Sequence, residues 1–386
     1  MGKSLDPSRG ERRRDAAAGR VARRALRFAS VVAGLIVAVG GVGCQTLPSA
    51  PRGPIFYPSP PDPPKIQYLR SFTNRRDVNQ KYSWVDILVG PSEADRLGFV
   101  KPYGLAVARG KFYVCDTITG TVWLVDLIRG EFNPIVGDDR QGKLKKPINI
   151  TIDMDGKKYV TDVDRHQIVV YGPNDEYVTA FGDGPEFKPT DVAIAGDQMI
   201  LTDLDSHEIQ IREKQTGKMV KAFGSPESSP LEESVGQPVN LALDPQGNIL
   251  VTDAGRFRVC AFSRDGAFLG SFGEIGKHPG QFARPKGIAV DKEGRIYVVD
   301  AAFENVQIFD DQHRILMWFG GHGNDEGSLV LPAQVVIDYD NLDYFRKYVA
   351  PGYDLECVIW VTSQDGPRRV SCYGLLRPQT AEAPLK

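Results

Sequence analysis

One phrase recurs six times along this chain of 386 residues. Each copy opens with Pro-x-(Gly/Asn/Asp/Gln) and runs through an apolar stretch to an Asp-Gly-like turn. It then reaches an aromatic-Val-Thr/Val-Asp stop, a second apolar run and, in most copies, a closing Phe-Gly. The anchoring prolines are Pro102, Pro147, Pro189, Pro238, Pro285 and Pro332, at steps of 45, 42, 49, 47 and 47 residues. In the fifth copy, Gly287 to Asp291, Arg295 to Asp300, Asn305 to Asp310 and His313 to Gly320 read as four strands. Runs this short, bounded by Gly, Asp and Asn, suit strands and not helices.

Four antiparallel strands repeated at a period in the forties predict an all-β, six-bladed β-propeller. One such unit cannot bury both its faces, so neighbours must stack. The second-strand stops are Asp116, Asp162, Asp203, Asp253 and Asp300, and the closing glycines are Gly137, Gly182, Gly224, Gly273 and Gly320. The sixth copy has Ser363 at the stop and lacks a closing strand. Ile66 to Phe72 reads as that missing strand, so an N-terminal strand is expected to complete the last blade and remove the open edge. The ring is expected over 65–375, as a monomer, followed by a disordered tail over 376–386.

The phrase Pro285-Lys286-Gly287-Ile288-Ala289-Val290-Asp291 followed by Ile296-Tyr297-Val298-Val299-Asp300 resembles the NHL repeat. Related propellers include binding modules, lyases and lactonases, so the resemblance speaks for fold more than for chemistry. Together with its N-terminus, the chain is similar to bacterial NHL-propeller lipoproteins. Phe28 to Gly43 carries no charge and follows Arg20, Arg23, Arg24 and Arg27. A basic stretch before a short apolar one predicts an export signal over 1–43. Gly41-Val42-Gly43-Cys44 resembles a lipobox, which implies cleavage before Cys44, acylation of its thiol (palmitate among the chains) and a membrane anchor. Gln45, where Asp signals inner-membrane retention, favours the outer membrane. Eight prolines between Pro48 and Pro64 predict a semi-rigid tether over 44–64.

Without its first 43 residues the chain has 38 basic and 46 acidic residues, a net charge of −8. That balance argues against a nucleic-acid partner. Cys115 and Cys260 fall in opposite blades. Pairing across a hairpin near Gly366 puts Cys372 opposite Trp360 and not opposite Cys357, so buried free thiols are expected.

The residue two after each anchor lies near the channel: Gly104, Asn149, Asp191, Asn240, Gly287 and Gln334. Asn149, Asp191, Asn240 and Gln334 form a candidate ligand or Ca²⁺ ring, since hard cations take oxygen donors. The competing reading has them capping strand starts or holding water. Paraoxonase-type lactonase propellers use such a channel site, but no Glu belongs to this set. His166 and His207 occupy equivalent loops. Those loops diverge with each strand added outward, about 4.7 Å apart, which argues against a shared zinc. The stop aspartates, repeated once per blade, read as acceptors for loop amides.

A second break in the repeat is the insert 339–356. Asp340 would cap a short helix with Leu342, Phe345 and Val349 on one face. Leu342, Tyr344, Phe345, Tyr348 and Val349 are candidate docking residues, or else a plug against the ring. Excising 341–352 is expected to leave a folded ring. No Gly-x-Ser-x-Gly, phosphate-binding Gly loop or His-Glu-x-x-His occurs. The expected function is a non-catalytic scaffold or ligand-binding platform that meets a protein or complex of the cell envelope. The alternative is a Ca²⁺-dependent lyase or lactonase at the channel mouth. A purely structural envelope protein is the third class.

Overall fold

The computed structural model describes residues 53–78, 97–182 and 184–379. The export signal, Cys44 and the start of the Pro-rich stretch lie outside the described residues. The described residues from Pro54 onward form one compact unit of six antiparallel sheets. The innermost strands begin at the anchoring prolines: Pro102–Ala108, Pro147–Ile152, Pro189–Ala195, Pro238–Leu243, Pro285–Val290 and Pro332–Asp338. Each packs against the next, and the last returns to the first. The chain is therefore a closed six-bladed propeller. Second strands such as Ile249–Asp253 and Ile296–Asp300 are buried at every residue, because neighbouring blades cover both faces. The outermost strands are the exposed ones, as at Met219–Phe223.

The sixth blade is built from both ends of the chain. Ile66–Phe72 pairs antiparallel with Val370–Pro378, from Ile66 opposite Leu375 to Phe72 opposite Val370. At this seam Trp360, fully buried, stacks on Phe72 at 5.9 Å and meets Phe112 of blade one at 4.9 Å and Phe345 of the insert at 5.3 Å. Its indole N–H donates to the buried Asp338 carboxylate at 3.0 Å.

Three boundaries move. Phe56–Tyr57 adds a fifth strand outside Ile66–Phe72, and Tyr57 Oη donates to Gly327 O at 2.8 Å. The ring thus starts by residue 54, not 65, and the Pro-rich stretch is not a free tether as far as Pro64. At the other end the strand continues to Pro378, and Gln379 N donates to Gly352 O at 3.0 Å. Residues 376–379 are therefore ordered, not tail. The middle strand begins at Tyr353, which shortens the insert to 339–352. Trp360 stands opposite Cys372, and Cys357 opposite Leu375. Cys115, Cys260, Cys357 and Cys372 are buried free thiols.

One hydrogen-bonding device recurs from blade to blade. The carboxylate of Asp116, buried, accepts the amides of Val100, Lys101, Ile118 and Thr119. Asp162 accepts from Lys145, Lys146 and Arg165. Asp203 accepts from Lys188 and Asp205, and Asp253 from Gly236 and Gln237. Asp300 accepts from Ala283, Arg284, Ala302 and Phe303. A carboxylate suits this task because it offers two oxygens that only accept. The carbonyl of the residue before each anchor in turn accepts the amide that follows the stop, as Lys101 O does from Thr117 N at 3.1 Å and Arg284 O from Ala301 N at 3.0 Å. The backbone just before each anchor is thereby fixed at both its polar groups. Blade six substitutes Ser363 Oγ, which accepts Val330 N at 3.4 Å, and Glu304, which accepts Leu331 N at 3.0 Å.

The stability of the ring should depend on this clamp. Asp300→Ala removes the shared acceptor of four loop amides and leaves a gap where a buried carboxylate stood, and should cost about 3 kcal/mol. Asp205→Ala, at a half-exposed carboxylate on the same face, should stay within about 0.5 kcal/mol. Urea midpoints measure both, and equal losses would refute the clamp.

Candidate functional site

The fold brings Asn149, Asp191, Asn240 and Gln334 into one layer at an end of the central channel. A cavity of about 290 Å³ runs from Asp191 and Gln334 along the innermost strands to Ile152, Leu243, Val290 and Ile337. All four polar side chains are buried, and they bond to one another in pairs. Asn240 Nδ2 donates to Asp191 Oδ2 at 3.2 Å, and that oxygen also accepts Leu241 N at 2.9 Å. Asp191 Oδ1 accepts Val192 N at 2.8 Å. Gln334 Nε2 reaches past blade one to Asn149 Oδ1 at 3.3 Å, while Asn149 Oδ1 accepts Ile150 N and Gln334 Oε1 accepts Val335 N. Gly104 leaves room for that bridge: a Cβ there would stand 2.4 Å from Asn149 Oδ1. Gly287 does the same beside Gln334.

This layer is a poor fit to Ca²⁺. It holds one carboxylate and three amides, and every side-chain oxygen except Asn240 Oδ1 already accepts a hydrogen bond. A Ca²⁺ shell takes about 6–8 oxygens. Burial pushes the Asp191 carboxyl up to about 7, against the pull of the Leu241 and Val192 amides and Asn240.

The residues that face solvent above this layer were not singled out from the sequence, although they sit at a fixed offset. The residue before each anchor is Lys101, Lys146, Lys188, Gln237, Arg284 or Leu331. Each is held by the backbone device described above, so four basic side chains are displayed on one rim. Lys146 and Lys188 pair with exposed Asp164 and Asp205 at 4.0 and 3.3 Å, contacts worth little in water. Lys101 and Arg284 have no ion-pair partner among the described residues. Lys286, one residue after its anchor, places Nζ 4.8 Å from the ring centre of Tyr103. Burial, with Arg284 and Lys101 nearby, pulls its ammonium down to about 7. Burial and the Asp191 charge raise the Tyr103 phenol in the opposite sense.

His166 and His207 owe their equivalence to a turn. Four residues after each stop the backbone is left-handed, with φ of 64° at Gly120, 56° at His166, 53° at His207, 56° at Phe257 and 54° at Glu304. Few residues other than Gly adopt that region, and His is among those that do more often. His166 Nδ1 lies 3.0 Å from Phe187 O. Among the described residues no group of three or more His, Cys, Asp or Glu could hold a metal ion.

The insert packs inward between blades one and six. Phe345 is fully buried, and Leu342, Tyr344, Tyr348 and Val349 pack half-buried on the same core. The helix is short, Leu342–Phe345, and its N-cap is Asn341 rather than Asp340. Asn341 accepts Gly110 N at 2.6 Å and donates to Ala108 O and Asp338, which bolts the insert to blade one. Arg70 donates to the hydroxyls of Tyr344 and Tyr348 at 2.9 and 2.7 Å. The expectation that 341–352 can be excised harmlessly does not survive this packing, because Phe345 helps cover Trp360.

Residues 234–312 match a protein family described as a 6-bladed beta-propeller. Protein brain tumor of Drosophila melanogaster is 25% identical over 141 residues, which are 34% of this chain and 13% of that protein. The chain thus spans only a small part of that relative. A virginiamycin B lyase from Staphylococcus aureus superposes with a TM-score of 0.50 at 13% identity, covering 73% of this chain and 86% of that one. A gluconolactonase from Xanthomonas campestris gives 0.54 at 14% identity, covering 85% and 99%. At these identities the two structures show a common fold. The chain is a six-bladed propeller with NHL-like repeats.

The buried Asp191 should leave a pH signature. Its folded-state pKa lies above the unfolded value near 3.9, so its contribution to stability is full below about pH 4 and is lost as pH rises through 7. The stability of the parent minus that of Asp191→Asn should therefore fall between about pH 4 and 7, by at most about 1.4 kcal/mol per unit. Urea midpoints across that range measure it, and a difference independent of pH would contradict the assignment.

Proposed function

We propose that this protein is a membrane-anchored, non-catalytic binding platform at the cell envelope, held through acylated Cys44. One observation carries the choice of binding over catalysis. Apart from Asn240 Oδ1, the side-chain oxygens at the channel are engaged by one another's amides and by backbone amides, while the rim above them displays Lys101, Lys146, Lys188 and Arg284. A displayed charged rim on a rigid ring suits docking, where electrostatic complementarity guides encounter and specificity. The N-terminal order of basic stretch, apolar stretch and Cys44 supports export and anchoring. An acidic remainder of the chain supports a protein or small-molecule partner over nucleic acid.

The alternative, a lyase or lactonase, has one feature in its favour. Asp191 titrates near neutrality, as general acid–base groups do. Both its oxygens are nevertheless engaged inside the layer, by Val192 N, Leu241 N and Asn240 Nδ2, and it is 4% exposed.

Chemical crosslinking in intact cells, followed by purification from solubilised membranes, tests the reading. A stoichiometric partner should be recovered with the parent chain, and Cys44→Ser should release the protein from the membrane fraction and abolish fatty-acid labelling. A Cys44→Ser protein that stays in the membrane and still incorporates fatty acid would refute the anchor. Turnover of a lactone or cyclic ester lost in Asp191→Asn would refute the non-catalytic role.

A further inference from the structure

The rim is interrupted over blade six. Where the other blades place Tyr103, Ile148, Thr190, Val239 and Lys286 one residue after the anchor, blade six places Ala333, which is fully buried. Where the others carry Lys101, Lys146, Lys188, Gln237 and Arg284 before the anchor, blade six carries Leu331. The side chains of blades one and five meet over this small residue, and Lys286 lies across the gap against the Tyr103 ring. Lys286 is only 8% exposed. Its Nζ has no hydrogen-bond or ion-pair partner among the described residues.

A buried ammonium with only a ring face for company is costly, and two further cations beside it make it more so. Arg284 and Lys101 are those neighbours. Their backbones are pinned by Asp300 and Asp116, so the positive charges cannot drift apart by loop movement alone. Such an arrangement is relieved by an anion. A monocarboxylate would leave charge uncompensated, whereas a phosphate group carries about −1.5 to −2 near neutrality and accepts several charge-assisted bonds.

We propose that the rim over blade six is a binding site for a phosphate group, held between Lys286, Arg284 and Lys101 above Tyr103. This deepens the platform reading and rests on it, since it names the chemistry that the platform recognises. Arg284, exposed at the rim, supplies the planar fork suited to two phosphate oxygens. Lys286 supplies the inner charge.

The test is a calorimetric titration of the purified full-length chain with inorganic phosphate, at about pH 7 where the Lys286 ammonium still carries charge and phosphate carries more than one negative charge, with acetate at matched ionic strength as the control. Saturable binding of phosphate and not of acetate is expected. Lys286→Met should weaken it about tenfold or more, and Arg284→Gln, a surface change that leaves folding intact, about threefold or more. Lys221→Gln, on the outer strand of blade three, should change it less than about twofold. Absence of saturable phosphate binding, equal binding of acetate, or parental affinity in both Lys286→Met and Arg284→Gln would each overturn the site. A silent titration beside a recovered cellular partner would sink this site and leave the platform standing. Phosphate binding with no partner would do the converse.

Discussion

The carboxylate that closes each second strand is the interaction on which the rest of this molecule depends. Asp116, Asp162, Asp203, Asp253 and Asp300 accept the amides that lead into the innermost strands, and most also accept the turn that follows. Three consequences come from this one device. The buried carboxylates are satisfied by these loop amides, which a buried charge demands. The anchoring prolines, which have no N–H to satisfy, can start each strand. The residue before each anchor is fixed by both its N–H and its C=O, so its side chain is displayed from a rigid base. Structure and binding surface are in this sense one pattern, repeated around the ring.

The channel layer shows the opposite use of polar groups. Asn149, Asp191, Asn240 and Gln334 converge, as residues at one offset of a closed repeat must, but they converge on each other. Every side-chain oxygen of the layer except Asn240 Oδ1 takes a nearby donor, and the donors are neighbouring amides. Burial favours the neutral form of Asp191, whose two oxygens are both engaged by neighbouring amides. Chemistry would need that layer to open. Docking on the rim needs nothing to move.

Much of the fold was legible because repetition averages away local ambiguity. The anchors, the stops and the borrowed strand Ile66–Phe72 all stand where the period put them, and the register of Trp360 against Cys372 came from counting across one hairpin. The departures share a cause, which is tertiary contact between segments far apart in sequence. Phe56–Tyr57 has no strand signature of its own and is held by the edge it meets and by Gly327. Asn341 stands at the helix start in place of Asp340 and makes no side-chain cap bond, because its side chain is drawn to Gly110 and Ala108 of blade one. The basic rim was hidden by counting charge over the whole chain, which is net acidic beyond its first 43 residues. Counting by position within the repeat would have shown Lys101, Lys146, Lys188 and Arg284 at a single offset.

The claim that this rim is the working face is tested most directly by photo-crosslinking amino acids placed singly on both faces of the ring in living cells. Gln237 and Arg284 report on the rim, while Ile128 and Met154, both exposed in turns on the other side, report on the opposite face. The account predicts a discrete adduct from the rim positions and none from Ile128 or Met154. Adducts confined to the opposite face would contradict it.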